Sequence, residues 1–464
     1  MPRIQRYLAR SPMPVPAEAL FAWHARPGAF ERLSPPFAPA EVLERSGGLE
    51  MGARTVLQMH VGPVPVTWVA EHTGYEAGRM FQDTQRSGPF AHWVHTHRMV
   101  PNGATSLMED EVDYAVPLGL VGSLFGGGMA RHQLESLFAY RHAVLSGDLG
   151  RHAAFADKGP LRVAVTGASG TVGRALCAFL TTGGHSVLRL VRRAAGPDEV
   201  AWDPHAGTVE LEKLEGVDAV IHLAGAGVAD GRWTDARKKE IHESRELGTR
   251  TLAGALAKLS RPPRVFVSTS AVGYYGDTGD EPRDESAAPA DDFLARVCKA
   301  WEASTEAAET RGIRTVKLRV GVVLTPSGGA LQKMLPPFKL GGGGPQGSGR
   351  QWMSWIHLDD LLGLYHQALF DERWTGAFNA VAPNPVRNAE FAHALGRVLG
   401  RPAVVPLPAA AIRAAFGEMG EAVLLAGQRV SPAKAQAAGF HFLYPELDGA
   451  LRMLLGKNRL EAAQ

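Results

Sequence analysis

Two cysteines in 464 residues, Cys177 and Cys298, exclude a disulfide scaffold and a four-cysteine zinc site. Thiols this sparse fit a reducing compartment. Neither sign of charge is in excess, since 49 Lys and Arg stand against 47 Asp and Glu for a net charge of +2. That balance excludes a global positive field for nucleic acid and a polybasic membrane anchor. Long apolar runs are also missing. The longest uncharged stretch, residues 114–130, is shorter than a bilayer span and carries five glycines and a proline. The first twenty residues hold no apolar core of a secretory signal. These absences lead to the expectation of a cytoplasmic protein with no membrane span and no nucleic-acid partner.

What remains is an ordinary globular composition, 45% hydrophobic and 21% charged. At roughly 150 residues per domain the length allows two to four domains. The clearest punctuation is GDLGRHAAFADKGP at residues 147–160, polar and ending in Gly-Pro before the apolar run LRVAVTG. The expected division is a ligand-binding domain at 1–150, a linker at 151–160, a dinucleotide-binding domain at 161–400 and a small helical module at 401–464. The first 150 residues read as α+β. A helix is predicted over 17–33 and strands over 55–60, 64–72, 92–100 and 105–116. A final helix over 129–145 sets Leu134, Leu137, Phe138, Arg141 and Leu145 on one face. A curved sheet gripping such a helix leaves an apolar cavity between them.

From residue 161 strands and helices alternate, the pattern of a doubly wound parallel sheet. Strands are predicted at 162–166, 186–191, 219–223, 264–268 and 315–320, with helices starting near Gly173, Asp235, Asp291 and Asp359. Between the first strand and helix lies Gly167-Ala-Ser169-Gly170-Thr171-Val172-Gly173. Glycine permits the tight turn at the first place, close approach of a pyrophosphate at the second, and helix–strand packing at the third. The helix N-terminus then faces the phosphates. Where an NAD site carries an acid, the second strand ends in Val191-Arg192-Arg193. Two guanidinium groups suit a 2′-phosphate, so NADP(H) is favoured over NAD(H). Arg319 ends the strand VKLRV, and strand carboxyl ends face the ligand crevice in such sheets.

GASGTVG together with DAVIHLAGA, FVSTSAVGYYG, VKLRVGVVL and WIHLDD resembles the extended, epimerase-like form of the short-chain dehydrogenase/reductase superfamily. More narrowly, ESRELGT, VCKAWE, GSGRQWMSWIHLDD, NAVAPNPVRN and GQRVSPAKAQAAGFHFLYPELDGAL are similar to an atypical subgroup. Its members are labelled epimerase family or cell-division-inhibitor-like and end in a small domain of unknown function. The resemblance spans about residues 161–455. It implies a Rossmann fold, with Leu223, Ala224, Gly225 and Ser268 as further cofactor contacts. It also implies a serine, here Ser268 or Ser270, followed by Tyr-x-x-x-Lys on the next helix. Those helix places hold Cys298 and Glu302 instead. The candidate catalytic set is therefore Ser270, Tyr274, Cys298 and Glu302, with Tyr275 open as an alternative phenol. The glycine-rich segment 340–355, with Arg350 and two tryptophans, reads as a lid or as a surface excursion. Asp359 reads as the cap of the next helix, and His357 as structural.

The N-terminal order of elements, with EHTGYEAGRMFQDTQRSGPFAHWVHTHRMV, resembles the START-like (SRPBCC) helix-grip superfamily of hydrophobic-ligand binders and polyketide cyclases. Trp93, His95 and His97 share one strand face, with His60 and His72 nearby. No C-x-x-C or H-E-x-x-H spacing accompanies them, so no metal is expected and the imidazoles read as cavity lining. Together these readings predict an NADP(H)-binding oxidoreductase or epimerase-like enzyme with a non-standard active site. Its partners would be a partly hydrophobic small molecule and a second copy in a homodimer. The alternative is a catalytically silent NADP(H)-binding sensor or scaffold.

Overall fold

The computed structural model describes residues 3–62, 64–117, 119–193 and 195–460. Residues 1–2 and 461–464, the ends of the expected first domain and C-terminal module, lie outside the described residues, as does Leu118 of the uncharged stretch. The chain forms two compact units. One runs to Asp157 and takes in Thr181–Gly184 and the chain from Arg452; the other comprises Lys158–Leu180 and His185–Leu451.

The N-terminal unit is built on a seven-stranded antiparallel sheet with α-helices packed on it. Its elements are β1 (Gln5–Met13), α1 (Ala17–Ala25), α2 (Ala29–Leu33), β2 (Glu41–Ser46), β3 (Arg54–Val61), β4 (Val64–Glu76), β5 (Met80–Ser87), β6 (His92–Asn102), β7 (Thr105–Ala115) and α3 (Gly119–Ala153), in the spatial order β1-β7-β6-β5-β4-β3-β2. Inward residues alternate along the central strands: Trp93, His95, His97 and Met99 on β6, and Met108, Asp110, Val112 and Tyr114 on β7 are buried. Leu134, Phe138 and Leu145 of α3 are buried as well. The single helix expected at 17–33 is broken. Pro27 forces Arg26 into an extended conformation, and Gly28 takes φ +92°. The long helix continues to Ala153, so the expected linker begins inside it. Strands β1, β2 and β5 escaped the sequence reading. β1 and β2 are sheet edges, one holding Pro12 and the other mostly charged and exposed, as edges tolerate.

The second unit is built on eight strands, β8 (Arg162–Thr166), β9 (Ser186–Val191), β10 (Glu199–Asp203), β11 (Thr208–Val209), β12 (Ala219–His222), β13 (Val265–Ala271), β14 (Arg314–Val320) and β15 (Gly376–Ala380). Their order is β11-β10-β9-β8-β12-β13-β14-β15, parallel except for the β10–β11 pair. The helices needed below are α4 (Thr171–Thr182), α5 (Asp235–Ala257), α6 (Phe293–Ala303) and α7 (Leu358–Phe370). Strands β8, β12, β13 and β14 are largely buried because clusters cover both faces, one around Val163, Val165 and Phe179, the other around Val220, Leu252 and Phe266. The chain steps from β8 outward to β9 and later returns to β12 on the other side of β8. That reversal opens a crevice at the carboxyl ends of β8 and β12, where such sheets bind ligands.

Candidate functional site

The turn after β8 sits at this crevice. Gly167 has φ +66°, and a Cβ there would meet the backbone of Leu223 and Ala224 at 3.0 Å. A Cβ on Gly173 would lie 2.1 Å from the Gly167 carbonyl oxygen. Gly170 is roomier, 3.3 Å from the same oxygen, and its N–H donates to that oxygen at 3.0 Å. The Thr166 hydroxyl ties the ends of β8 and β12 together. It accepts from the N–H groups of Leu223 and Ala224 at 3.0 and 3.2 Å, and meets His222 Nδ1 at 2.7 Å. With its oxygen so occupied, Thr166 donates to His222, whose ring is therefore the Nε2–H tautomer. Burial lowers the His222 pKa to about 3 and keeps the ring neutral. The open backbone at Gly167–Gly173, facing the start of α4, fits a dinucleotide pyrophosphate.

At the end of β9 the two arginines differ. Arg193 donates to Glu199 Oε1 at 2.6 Å. Glu199 is a buried acid on β10, and the sequence reading of an acid-free strand end overlooked it. Arg192 is exposed and has neither ion pair nor hydrogen bond among the described residues. Both line a depression of about 390 Å³ with Trp202 and Asp203.

At the carboxyl end of β13 the structure assembles a polar chain whose members, all but Asn379, the sequence offered as separate candidates. Ser270 donates to Glu302 Oε1 at 2.8 Å. Arg319 grips the same carboxylate through Nε at 2.8 Å and Nη2 at 2.9 Å, and its Nη1 donates to the Tyr275 hydroxyl at 2.8 Å. Tyr275 in turn donates to Asn379 Oδ1 at 2.7 Å. Burial pushes the Tyr275 phenol up to about 12, against the opposing pull of Arg319. Burial works against the charge on Arg319 too, but the Glu302 carboxylate outweighs it and holds the guanidinium protonated. Tyr274 lies apart from this chain. Its ring faces the Arg319 guanidinium at 3.5 Å, and its hydroxyl has no hydrogen-bond partner among the described residues.

Residues 163–379 match the family described as NAD dependent epimerase/dehydratase. An epimerase family protein of Mycobacterium bovis is 43% identical over 290 residues, covering 62% of this chain and 96% of that protein. The chain belongs to the epimerase family. Its residues 407–454 match a domain of unknown function, DUF1731, and residues 13–138 match polyketide cyclase / dehydrase and lipid transport proteins. A crystal structure of a nucleoside-diphosphate sugar epimerase from Corynebacterium glutamicum is similar over 98% of this chain and 91% of its own, with a TM-score of 0.79 and 35% identity. A crystal structure of the human epimerase family protein SDR39U1 with NADPH covers 64% of this chain and 99% of its own, at TM-score 0.59 and 37% identity.

Within this epimerase-family frame several expected roles change. Cys298 is 3% exposed and donates weakly to the Ala271 carbonyl at 3.7 Å. Burial first, and the Glu302 charge second, push its thiol up to about 12, opposite to what a nucleophile requires. Glu302 is committed to Arg319 and Ser270 rather than paired with that thiol. Arg319, expected to touch cofactor, has all its nitrogens engaged inside the protein. Ser268 is buried, its hydroxyl bent toward the Thr269 carbonyl at 3.4 Å. His357, not Asp359, caps α7, its Nδ1 accepting from the Asp359 N–H at 3.1 Å. The glycine-tryptophan segment is pinned rather than free. Gly347 N–H bonds to Leu407 O at 2.9 Å, and Leu407 N–H to Pro345 O at 2.8 Å. Trp355 is fully buried, and Trp352 lies between the guanidinium groups of Arg387 and Arg429. Arg245 on α5 was missed. Partly buried, it faces Trp301 at 4.9 Å and lies beside Gly225, with no carboxylate partner among the described residues.

Proposed function

We propose that this chain binds NADPH in preference to NADH and reduces or epimerises a small carbonyl-containing substrate, with Tyr274 as the proton donor. The observation that carries the assignment is the contrast between the two phenols. Tyr275 has its hydroxyl saturated as donor and acceptor, whereas the hydroxyl of Tyr274 is open at the carboxyl end of β13. In this reading the N–H groups of Ser169, Thr171 and Val172 bind the pyrophosphate, Gly170 lets it approach the turn, Leu223–Gly225 border it, and Arg192 takes the 2′-phosphate. A bound nicotinamide supplies a hydride donor or acceptor. Ser270, whose proton is held by Glu302, offers lone pairs that orient a substrate hydroxyl. Glu302 and Tyr275 hold Arg319 flat against the Tyr274 ring, so Arg319 is a positioning residue. Arg245, which donates to the Ile241 carbonyl at 3.0 Å but has no carboxylate partner among the described residues, favours a substrate with an anionic group. The N-terminal unit would bind a hydrophobic small molecule, in keeping with the family its sequence matches.

The silent sensor keeps one supporting observation: neither the tyrosine nor the lysine that the superfamily pattern calls for is present on α6. One experiment separates the two. Titration with NADPH and NADH, following bound nicotinamide emission, is expected to show tighter NADPH binding. Adding a panel of anionic carbonyl compounds should then quench that emission in wild type. Tyr274→Phe should bind NADPH equally but slow the decay by roughly 10² to 10⁴. Binding without decay across the panel favours the sensor, and equal decay in Tyr274→Phe removes the proton-donor assignment.

A further inference from the structure

A second polar cluster, unused by the chemistry above, lies on the inner face of the N-terminal sheet. His95 and His97 are two residues apart on β6 and project to the same side. Asp83 is the register partner of His95 on β5, and Asp110 that of His97 on β7. Opposed residues of an antiparallel pair share a face, so strand pairing alone brings two imidazoles and two carboxylates together.

Three donor atoms converge there. Asp83 Oδ2 is 3.4 Å from His95 Nδ1 and 3.6 Å from His97 Nε2, and the three atoms lie within 4.8 Å of one another. These separations exceed those of N–H···O hydrogen bonds. They match the edge of a tetrahedral ligand set, since donors about 2.0–2.1 Å from a zinc-sized ion stand about 3.3 Å apart. A carboxylate stands on the far side of the rings. His95 Nε2 is 2.9 Å and His97 Nδ1 2.6 Å from the same oxygen of Asp110. The other Asp110 oxygen meets His142 Nε2 of α3 at 2.7 Å, and His142 Nδ1 meets Ser11 Oγ at 2.8 Å. A metal-bound imidazole characteristically gives its remote N–H to a carboxylate, which fixes the ring and presents the near nitrogen as a lone pair. Asp110 does this for His95 Nε2, while His97 Nδ1 lies close to the same oxygen without a formed hydrogen bond, and the near nitrogens of both rings face Asp83. A second, independent sign comes from β4. His72, the register partner of Asp83, has a buried Nδ1 with no hydrogen-bond partner, a spare imidazole beside the cluster.

We infer that Asp83, His95 and His97 form a site for a divalent transition-metal ion of the zinc class, oriented by Asp110. Two neutral imidazoles and one carboxylate are borderline donors suited to zinc, cobalt or ferrous iron rather than to calcium or magnesium. Three protein ligands leave a place for water or substrate. The side chain of Asp83 is 17% exposed against 4% for His95 and 10% for His97, so the cluster opens on the Asp83 side. The H-x-H spacing alone does not announce the site, because both aspartates arrive from neighbouring strands.

The test is cobalt(II) titration of the full-length, chelator-stripped protein, following visible d–d absorption, with zinc competition. Saturation at one equivalent, loss of the band on adding zinc, and loss of binding in the His95→Gln/His97→Gln double variant are the expected results. Asp110→Asn should weaken binding roughly 10- to 100-fold, the usual effect of removing an orienting carboxylate. Absence of any band in wild type, or an undiminished band in the double variant, would overturn the site. Should circular dichroism show the double variant unfolded, Asp83→Asn at the cluster's open side decides: at least tenfold weaker cobalt binding supports the site, and unchanged binding rejects it.

Discussion

Substituting alanine at each of the three turn glycines should separate what the turn does for folding from what it does for cofactor. At Gly173 the added Cβ would lie 2.1 Å from the Gly167 carbonyl oxygen, 2.8 Å from Ala168 Cα and 2.9 Å from the Gly167 carbonyl carbon. All three are backbone atoms of the turn, so the start of α4 must move away by more than 1 Å. Overpacking of this kind costs about 3 kcal/mol, the upper part of its usual range. At Gly167 the left-handed φ costs about 1–2 kcal/mol and the 3.0 Å contacts with Leu223 and Ala224 add to it. At Gly170 the single 3.3 Å contact asks for a shift of tenths of an ångström, about 0.5 kcal/mol. Urea unfolding should therefore rank the losses Gly173→Ala > Gly167→Ala > Gly170→Ala. NADPH titration should break that ranking. Gly170→Ala folds nearly as wild type yet blocks the approach of the pyrophosphate, and should lose at least tenfold in affinity, about 1.4 kcal/mol. Wild-type stability in Gly173→Ala would refute the steric reasoning. Wild-type NADPH affinity in Gly170→Ala would refute the assignment of the turn to phosphate.

Three further outcomes follow from single side chains. Arg192→Ala should lower NADPH affinity by roughly 10- to 100-fold, the range of a lost charge-assisted hydrogen bond, and leave NADH unchanged in the same titration. Arg193→Ala should have the smaller effect, because Glu199 already neutralises that guanidinium. His222, buried and neutral, has a folded pKa of about 3 against roughly 6.5 unfolded. Its contribution is complete above pH 6.5 and falls by about 1.4 kcal/mol per pH unit below it, because the unfolded chain binds the extra proton. Urea unfolding at pH 6.5 and 5.0 should thus show about 2 kcal/mol more loss in wild type than in His222→Asn. The Cys298 thiol, pushed up to about 12, should react with iodoacetamide at pH 8 about 10³-fold more slowly in the folded protein than in urea. Peptide mass spectrometry reads that ratio directly, and comparable rates would show the thiol to be accessible and ionised.

Local signals made much of the second unit legible. Strands β8 and β9 match their predicted bounds, because an apolar run between turn residues is a complete local instruction. The glycine turn was readable for the same reason. Strands β10, β11 and β15 hold no continuous apolar run between turn residues, and their stability comes from neighbours rather than composition, so nothing local announces them. Some misses had a signal. Pro27-Gly28 marks a helix break, and Glu199 stands only six residues beyond Arg193. Others had none. Glu302 and Arg319 are 17 residues apart, and Tyr275 and Asn379 are 104 apart; the packing of α6 and of the turn after β13 against the sheet brings them together. The Asp83, His95, His97 and Asp110 cluster is of that kind too, since pairing across three strands has no trace in the spacing along one.

The exchange of charge on α6 is the point at which fold and chemistry meet most closely. The superfamily pattern places a lysine where Glu302 stands, and there it would bring a cation beneath the active phenol. A lone carboxylate in its place, buried under Ser270, would be costly. Arg319 on β14 removes that cost with two parallel hydrogen bonds to the carboxylate, and at the same time lies 3.5 Å from the Tyr274 ring. Under the function proposed above, the cation has moved from helix to strand, and the carboxylate is what holds it there. Reverting the helix to the pattern should therefore fail. Glu302→Lys would set an ammonium against a buried guanidinium and remove the acceptor of Ser270, a change that costs about 3–5 kcal/mol when one partner of a buried pair is merely lost. Urea unfolding should show at least that loss, while Glu302→Gln, which keeps an acceptor for Ser270 and Arg319, should lose less. A folded, wild-type-stable Glu302→Lys variant would show that Arg319 does not depend on the carboxylate, and that the two charges were not exchanged as a unit.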